Sequence, residues 1–313
     1  MSNLSYQYKF SVFTPTFNRA HTLHRVYESL KAQTYSDFEW LIVDDGSTDN
    51  TRDIVENWQK QADFPIRYLH QENSGKHIAI NRGVKEAKGE LFLIFDSDDG
   101  CIPEALERFK YYWDTIPENI KNSFSAVTSL CKKEDGSIVG TYFPFNITDS
   151  DSLEMRYRFK VKGEKWGFHR VDVLRQFPFP EVAGVKFISE GIVWSRIARK
   201  YKTRFVNEAL RIYYSGNDQL TKSVKKIPAK HSLGATIGYL ITLNESIDWF
   251  YSDPLIFLKC AIQYSRFSFH AKTSLIKQFK KLESSLGKLL WMIAFPLGYI
   301  FYLKDIKSVI GNG

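Results

Sequence analysis

Short apolar runs recur through the first hundred residues, and each is bounded by polar side chains. The runs are rich in β-branched and aromatic residues and each is five residues long, which is typical of buried strands. They cover residues 10–14, 39–43, 66–70 and 91–95. We therefore predict four strands in the first third of the chain.

The intervals between these runs have helical periodicity. Leu23, Val26, Tyr27 and Leu30 fall on one helical face, and further helices are predicted around 54–58 and over 76–87. Strands that alternate with helices predict a mostly parallel sheet with helices on both faces. Such sheets bind ligands beyond the carboxyl ends of their strands. That edge would carry residues 14–18, 44–45, 72–75 and 96–99.

The pattern changes in the remainder of the chain. Residues 125–145 predict a hairpin around the turn dipeptide Asp135-Gly136, and the last ninety residues are mainly helical by pattern. An uncharged run at 289–303 contains Pro296 and Gly298. A helix of that length rises about 22 Å, less than the ~30 Å hydrocarbon core of a bilayer. We therefore expect a segment that lies in a membrane interface or packs on the protein, not a membrane span.

Charge separates this last part from the rest of the chain. Lys222–Gly313 contains 13 Lys and Arg against 5 Asp and Glu, a balance of +8, while the preceding residues carry 30 of each sign. An anionic surface is the expected partner. No nucleic-acid-binding motif accompanies the charge, so we expect an anionic membrane surface and no nucleic acid. Three scattered cysteines and the absence of an apolar leader favour a cytoplasmic protein, peripheral at the inner face of the membrane.

Three carboxylates, Asp96, Asp98 and Asp99, directly follow the fourth apolar run. Carboxylates this close repel one another unless a cation lies between them, and Mg²⁺ or Mn²⁺ favours carboxylate and phosphate oxygens. The alternative is that Asp98 or Asp99 caps a helix starting near Pro103. The motif alone leaves both interpretations open.

A second acidic pair, Asp44 and Asp45, follows the second apolar run in the stretch Val43-Asp-Asp-Gly-Ser-Thr-Asp49. An acidic side chain at this position can accept a hydrogen bond from a ribose hydroxyl or a base N–H. Ser47 and Thr48 are candidate caps for the helix that follows. Two strand-end acidic clusters together favour a nucleotide site over simple helix capping.

The order of these motifs resembles the inverting glycosyltransferases of family 2, which have the GT-A fold. The resemblance covers roughly residues 8–215. It rests on these motifs in this order: Thr14-Pro-Thr-Phe-Asn18, Gln33-Thr-Tyr, Val43–Asp49, Asn73-Ser-Gly-Lys76, Ala79-Ile-Asn-Arg-Gly83, Ala87-Lys-Gly-Glu90 and Phe95-Asp-Ser-Asp-Asp99.

The resemblance implies a role for each matching position. Thr14, Pro15 and Asn18 would lie by the nucleotide, and Asp44 and Asp45 would bind the base or ribose. Lys76 would approach the nucleotide or its phosphates, Asp96 the ribose or sugar, and either Asp98 or Asp99 would bind Mg²⁺ or Mn²⁺. Residues 1–125 would form the nucleotide-sugar-binding half of a GT-A domain, 126–221 the acceptor half, and 222–313 a basic, mainly helical C-terminal extension.

Inverting transfer also needs a base that deprotonates the acceptor hydroxyl. Family members commonly carry Glu-Asp before a helix with Trp and Arg, and this chain has Glu190 followed by Gly191. Glu190 is then the candidate catalytic base, with helix capping as the alternative. Trp166 and His169 lie where such enzymes shape the acceptor side, although both residue types are also common in structural roles.

The sequence therefore predicts a metal-dependent enzyme that moves a sugar from a nucleotide-diphosphate donor, UDP-linked by preference, to a saccharide or lipid-linked saccharide acceptor. The expected process is the synthesis of a surface glycan. Because Gly191 replaces the usual Asp, a homologue that binds nucleotide sugar without turnover is the alternative.

Overall fold

The structure is a computed structural model that describes residues 5–214 and 232–310, with side chains up to residue 307. The chain divides into two compact units. Within the described residues, the first unit comprises 5–179 and 197–214, and the second comprises 180–196 and 232–310. The boundary that we predicted between residues 221 and 222 lies outside the described residues.

A nine-stranded mixed sheet forms the centre of the first unit, in the order β3-β2-β1-β4-β8-β6-β9-β5, with β7 paired to β9. The first four strands in this order are parallel, as predicted. The strands are β1 Tyr8–Thr16, β2 Phe38–Asp44, β3 Ile66–His70, β4 Gly89–Ile94, β5 Gly100–Cys101, β6 Phe124–Lys133, β7 Ile147–Ser150, β8 Lys165–Arg170 and β9 Lys202–Tyr213.

The three helices predicted near the N-terminus are present. They are α1 His24–Lys31, α2 Thr51–Gln61 and α3 Lys76–Glu86, followed by α4 Ala105–Asp114, α5 Glu118–Lys121, α6 Ser152–Tyr157, α7 Val171–Leu174 and α8 Gly191–Ala198. The apolar face of α1 is buried through Val26, Tyr27 and Leu30. The tyrosine ring stacks on Trp58 of α2 at 4.5 Å, which fixes both helices to the same core.

One local prediction was wrong, and another was confirmed only in part. The cap of α2 is Asn50 and not Ser47 or Thr48, because the loop after β2 makes one further turn before the helix starts. The predicted hairpin has its turn at Gly136, with φ +82°, but the second arm pairs only through the single bridge between Lys132 and Ile138. β6 pairs instead with β8 and β9, which bring residues distant in sequence beside it.

Residues 232–310 of the second unit are mainly helical, as the sequence predicted. Its helices are α9 Ser232–Glu245, α10 Pro254–His270, α11 Leu275–Lys281 and α12 Ser285–Ile310, with one 3₁₀ turn at Ile247–Trp249. In α12 one face is buried, and Gly298 lies against α10 so closely that a Cβ would come within 2.7 Å of the Ile262 carbonyl oxygen. Helix α12 therefore packs along α10.

The length prediction for this segment was wrong. Helix α12 runs through Pro296 without a break and has 26 residues, so the uncharged run is only its centre. Among the described helices, its Ser285–Lys307 part is the one that is long and apolar enough to cross a membrane by length and composition. By length, the segment is therefore not too short to span a bilayer.

Candidate active site

The carboxyl ends of the parallel strands meet at one edge of the sheet. Thr16 of β1 is in register with Asp44 of β2, which is in register with His70 of β3. On the other side of β1, Phe13 is in register with Ile94, two residues before Asp96. We call this edge the strand-end rim. It brings both acidic clusters to one side of the first unit, as the sequence predicted.

Asn18 joins the end of β1 to the loop after β2. Its backbone N–H donates to the Ser47 hydroxyl at 2.8 Å, and its side-chain oxygen accepts from the Thr48 N–H at 2.8 Å. Its φ of +53° lies in the left-handed region, which asparagine tolerates better than most residues. The sequence motif at residues 14–18 therefore has a structural role, because it ties the end of β1 to the loop after β2.

The Asp44 and Asp45 carboxylates are buried and fully engaged by neutral donors. Asp44 accepts from the Ser47 N–H at 2.8 Å and from the Tyr68 hydroxyl at 2.5 Å. Burial and this bond to Asp44 raise the pKa of Tyr68, so the phenol stays a neutral donor.

Asp45 accepts from the Gln71 amide and from two backbone N–H groups, those of Ser74 and Gly75, each at 2.8 Å. Gly46 has φ +87°, and a Cβ at this position would lie 2.9 Å from the Asn73 backbone nitrogen. Glycine therefore allows the loops at Gly46 and Asn73 to approach this closely. The pair thus shapes the two loops at this part of the rim. Its predicted contact with base or ribose stays a prediction.

Asp96 forms ion pairs with two cations. Lys76 Nζ at the start of α3 lies 2.6 Å from one carboxylate oxygen, and Arg211 Nη2 on β9 lies 2.9 Å from the other. Burial alone would raise the pKa of Asp96, but the charges of Lys76 and Arg211 outweigh it and hold that pKa well below its ordinary value. Lys76 and Asp96, assigned to the phosphates and to the ribose or sugar, are therefore neighbours.

Asp99 is buried and also ion-paired with Arg211 Nη2. Its second oxygen accepts from the Tyr214 N–H at 3.1 Å. Burial raises the pKa of Asp99 to about 6, with Arg211 opposing and the Asp96 charge adding to the rise. Neither Asp98 nor Asp99 caps a helix, because α4 begins at Ala105 with Glu104 as its cap. The capping alternative is thereby excluded.

Asp98 differs from both of its neighbours. Its backbone carbonyl accepts from Arg25 Nη1 at 2.9 Å, but within residues 5–214 and 232–310 its half-buried carboxylate has no hydrogen bond and no ion pair. The same described residues contain no group of three or more His, Cys, Asp or Glu side chains that could hold a metal by themselves. Three carboxylates close in sequence therefore do not form an all-protein metal site.

The end of β1 contributes two different threonines. Thr14 is buried in the core, where its hydroxyl accepts from Trp40 Nε1 at 2.9 Å, and the adjoining Pro15 is also buried. Thr16, at the rim itself, has a buried hydroxyl with no hydrogen-bond partner in the described part of the chain. Sequence reasoning quoted Thr16 within its motif but gave it no role.

Trp166 and His169 lie on β8 within the first unit. Trp166 is 3% exposed, packs between Phe95 and Phe109, and donates to the Ile94 carbonyl at 2.7 Å. It is therefore a core residue, which is the structural role that the sequence also allowed. Burial lowers the pKa of His169 to about 3, so its ring is neutral at ordinary pH. Its predicted place on the acceptor side stays a prediction.

Glu190 lies in the second unit, immediately before α8. Its carbonyl accepts from the Val193 and Trp194 N–H groups, so it is the residue that starts the helix. Gly191 follows with ordinary backbone geometry, and among the described residues a Cβ there would meet only the Ser189 hydroxyl at 3.7 Å. In that part of the chain, a Cβ at position 191 would therefore meet no clash.

Comparisons with known proteins identify relatives of this chain in sequence and in fold. Residues 11–137 match the profile of Glycosyl transferase family 2. An uncharacterised glycosyltransferase of Nostoc sp. is 42% identical over 107 residues, which is 34% of this chain and 33% of that protein. A Campylobacter jejuni protein named GalNAc(5)-diNAcBac-PP-undecaprenol beta-1,3-glucosyltransferase is 28% identical over 90% of this chain and 87% of its own length.

The fold has a solved counterpart in residues 1–349 of TarS from Staphylococcus aureus, whose structure contains UDP-GlcNAc. The TM-score is 0.65 at 20% identity, covering 97% of this chain and 92% of that one. The fold is therefore of the GT-A glycosyltransferase type. Over residues 11–137, the part that holds both acidic clusters, the chain is similar to glycosyltransferase family 2, a family of enzymes.

Proposed function

We propose that this protein transfers a sugar, with inversion, from a UDP-sugar to a saccharide or lipid-linked saccharide acceptor, with help from a divalent cation. The observation that carries the proposal is the Asp98 carboxylate, which has no hydrogen bond or ion pair within the described residues, while Asp96 and Asp99 beside it are paired. The undecaprenol-linked substrate in the name of the Campylobacter relative favours a lipid-linked acceptor. The UDP-GlcNAc in the TarS structure favours a uridine donor.

The residues present fit a cation that is shared with the donor. Mg²⁺ in enzymes is usually held by one or two carboxylates together with substrate phosphates. Asp98 would supply the protein ligand, because Asp96 and Asp99 are already paired with Lys76 and Arg211. The cation, when bound, would neutralise charge on the departing nucleoside diphosphate. We assign the metal to Asp98 rather than Asp99 on this basis.

Release of nucleotide from a panel of sugar nucleotides tests the activity. With Mn²⁺ present, we expect the protein to release UDP from one UDP-sugar faster than from GDP- or dTDP-linked sugars. The non-catalytic alternative, suggested by Gly191, predicts binding of the same nucleotide sugar without release, with or without a lipid-linked acceptor extract. A protein that neither binds nor cleaves any of them contradicts the proposal.

Glu190 is our candidate for the base that takes the acceptor proton. Glu190→Gln keeps the size of the side chain, and loss of a general base lowers turnover by about 10²–10⁴. Donor affinity should be unchanged, because this proton is not part of donor binding. Equal turnover of variant and wild type, measured with acceptor, would contradict the assignment.

The open space at Gly191 makes this test sharper. Gly191→Asp puts a carboxylate where other family members carry one and should not strain the chain. In the Glu190→Gln background, recovered turnover would mean that a carboxylate at either position can serve. No recovery, with the helix intact by circular dichroism, would mean that Glu190 itself is required.

We further propose that the second unit holds the protein at an anionic membrane surface. Along α12 the residues opposite the buried face are apolar and exposed: Leu289, Met292, Ile293, Leu297 and Ile300. Lysines 277, 280 and 281 of α11 add positive charge to the same unit. One face bound to α10 and one apolar face exposed suits a helix lying in the interface better than a free span.

Sedimentation with vesicles tests this proposal. We expect binding to phosphatidylglycerol vesicles that weakens with salt, because each Lys near the surface contributes about 1 kcal/mol. Ile293→Asp should release the protein, whereas Phe145→Asp, at an equally exposed position of the first unit, should not. Wild-type protein that stays in the supernatant with anionic vesicles at low salt would contradict the proposal.

A further inference from the structure

Arg211 is placed beside the acidic cluster by strand pairing. It lies near the end of β9, where its Cα partner on the two-residue strand β5 is Cys101. Strand β5 begins directly after Asp99, so this pairing brings the arginine to residues 96–99. The side chain is 6% exposed, and one nitrogen, Nη2, contacts both Asp96 and Asp99.

The charges at this cluster do not balance. Among the described residues, three carboxylates, Asp96, Asp98 and Asp99, stand against two cations, Lys76 and Arg211, that pair with Asp96 and Asp99, so 3 − 2 leaves one negative charge. Arg25 is also close, but it donates to the Asp98 carbonyl and stacks on the Tyr214 ring at 4.3 Å. The charge left over therefore belongs to Asp98.

A divalent cation that recruited Asp96 or Asp99 would have to displace a buried guanidinium from its carboxylate, which is strongly unfavourable. With Asp98 alone, the protein offers too few oxygens for a six-coordinate ion. We infer that Arg211 is a positioning residue that makes metal binding depend on the donor: it withholds two carboxylates, so the cation is retained only when a diphosphate completes its ligands. This inference rests on the proposed function.

The same arrangement favours an anionic donor. Three uncompensated carboxylates would hold a cation tightly but would also repel the diphosphate that must approach it. With two of them neutralised by Lys76 and Arg211, residues 96–99 oppose the donor with one negative charge instead of three. Removing the Arg211 charge should therefore strengthen binding of the metal alone and weaken binding of the nucleotide.

The test measures Mn²⁺ binding without nucleotide, by the paramagnetic resonance signal of free Mn²⁺. Arg211→Gln should bind Mn²⁺ on the order of tenfold more tightly than wild type, since one repelling charge acts on a divalent ion across a few ångströms. UDP affinity at saturating Mn²⁺ should fall. Arg204→Gln is the matched control, because Arg204 is a buried arginine of the same strand with a bidentate pair to Asp149.

A purely structural role would make both arginine variants less stable and leave Mn²⁺ affinity unchanged in both. That result would overturn the inference. If Arg211→Gln does not fold, Arg211→Lys keeps the charge and should retain the wild-type Mn²⁺ behaviour, whereas tighter Mn²⁺ binding in it would contradict the charge argument. If wild-type UDP binding proves independent of metal, the proposed function fails instead, so the two failures are distinguishable.

Discussion

The two acidic clusters of the strand-end rim contain the same residue type at equivalent positions, yet their partners differ. Within the described part of the chain, Asp44 and Asp45 accept only from neutral groups: backbone N–H groups, the Tyr68 hydroxyl and the Gln71 amide. Asp96 and Asp99 are paired with Lys76 and Arg211, and Asp98 keeps a carboxylate without a partner in the described residues. Carboxylates bound by backbone donors hold loops in shape, whereas one left unpaired beside neutralised neighbours is available to a ligand.

The largest predicted effect is a loss of activity when Asp98 is replaced. Asp98→Asn removes the proposed metal ligand, and since a metal supplies several kcal/mol of transition-state stabilisation, kcat/KM should fall about 10²–10³-fold. Stability should change little, because the carboxylate makes no hydrogen bond or ion pair with the described residues. Asp135→Asn, in an exposed turn, is the control. Wild-type activity in Asp98→Asn would remove the distinction between the clusters.

Replacing a residue of the first cluster, Asp44 and Asp45, should instead lower the free energy of unfolding. Asp45→Asn turns one acceptor oxygen into an amide that faces the Gly75 N–H. Hydrogen bonds to a buried charged group contribute about 1.5–3 kcal/mol, so the free energy of unfolding should fall by about 3 kcal/mol. Denaturant titration against Glu56→Gln, an exposed change on α2, measures this. An unchanged midpoint would mean that the bonds at Asp45 are dispensable.

The pH dependence of the free energy of unfolding contains contributions from these carboxylates and from His169, and the two must be separated. The pKa of His169 is about 3 in the folded chain against 6.5 in the unfolded chain, because burial disfavours the charged ring. The unfolded state therefore takes up the proton first, so this stability is complete above pH 6.5 and is lost as pH falls towards 3. Between pH 6.5 and 5 the loss should be about 2 kcal/mol.

His169→Asn should remove that part of the pH dependence, and His24→Gln, at an exposed position, should keep it. The measurement is the urea midpoint between pH 7 and 5. An equal slope in wild type and His169→Asn would assign the pH dependence to other groups, the rim carboxylates among them.

The smallest predicted effect is on stability and concerns Asp44, whose partners differ from those of Asp45. Tyr68→Phe removes one of the two donors to Asp44 and leaves the Ser47 N–H in place. The free energy of unfolding should fall by about 1 kcal/mol, the usual net contribution of one hydrogen bond. UDP affinity should be unchanged. A large loss of UDP affinity with intact stability would show that the phenol contacts the nucleotide.

Sequence reasoning located both clusters because strand ends can be read from local patterns. The apolar runs that end at Val43 and Phe95 placed the acidic residues on one rim, and the register of β1, β2 and β4 confirmed this. Local patterns do not show which partners neutralise each carboxylate. Arg211 is 112 residues from Asp99, and only the pairing of β9 with β5 brings them together. A signal was present: an arginine inside the apolar stretch Ala209-Leu-Arg-Ile-Tyr213 needs a buried anion.

Two differences between expectation and structure have physical explanations of a similar kind. Trp166 was placed on the acceptor side, with a structural role as the alternative, but β8 inserts into the middle of the sheet and buries it. The run that contains Pro296 was expected to be too short to span a bilayer, yet packing of α12 along α10 keeps a longer helix continuous. In both cases tertiary contacts decided the outcome, and a single-sequence pattern does not contain them.

Calorimetric titration of UDP into the wild-type protein tests the central claim most directly. We predict tight binding in Mn²⁺, weak binding in EDTA, and loss of the difference between the two in Asp98→Asn while Asp99→Asn keeps most of it. This outcome follows if Asp98 is the protein ligand of a cation shared with the diphosphate. Equal affinity of wild-type protein for UDP in Mn²⁺ and in EDTA would contradict the account.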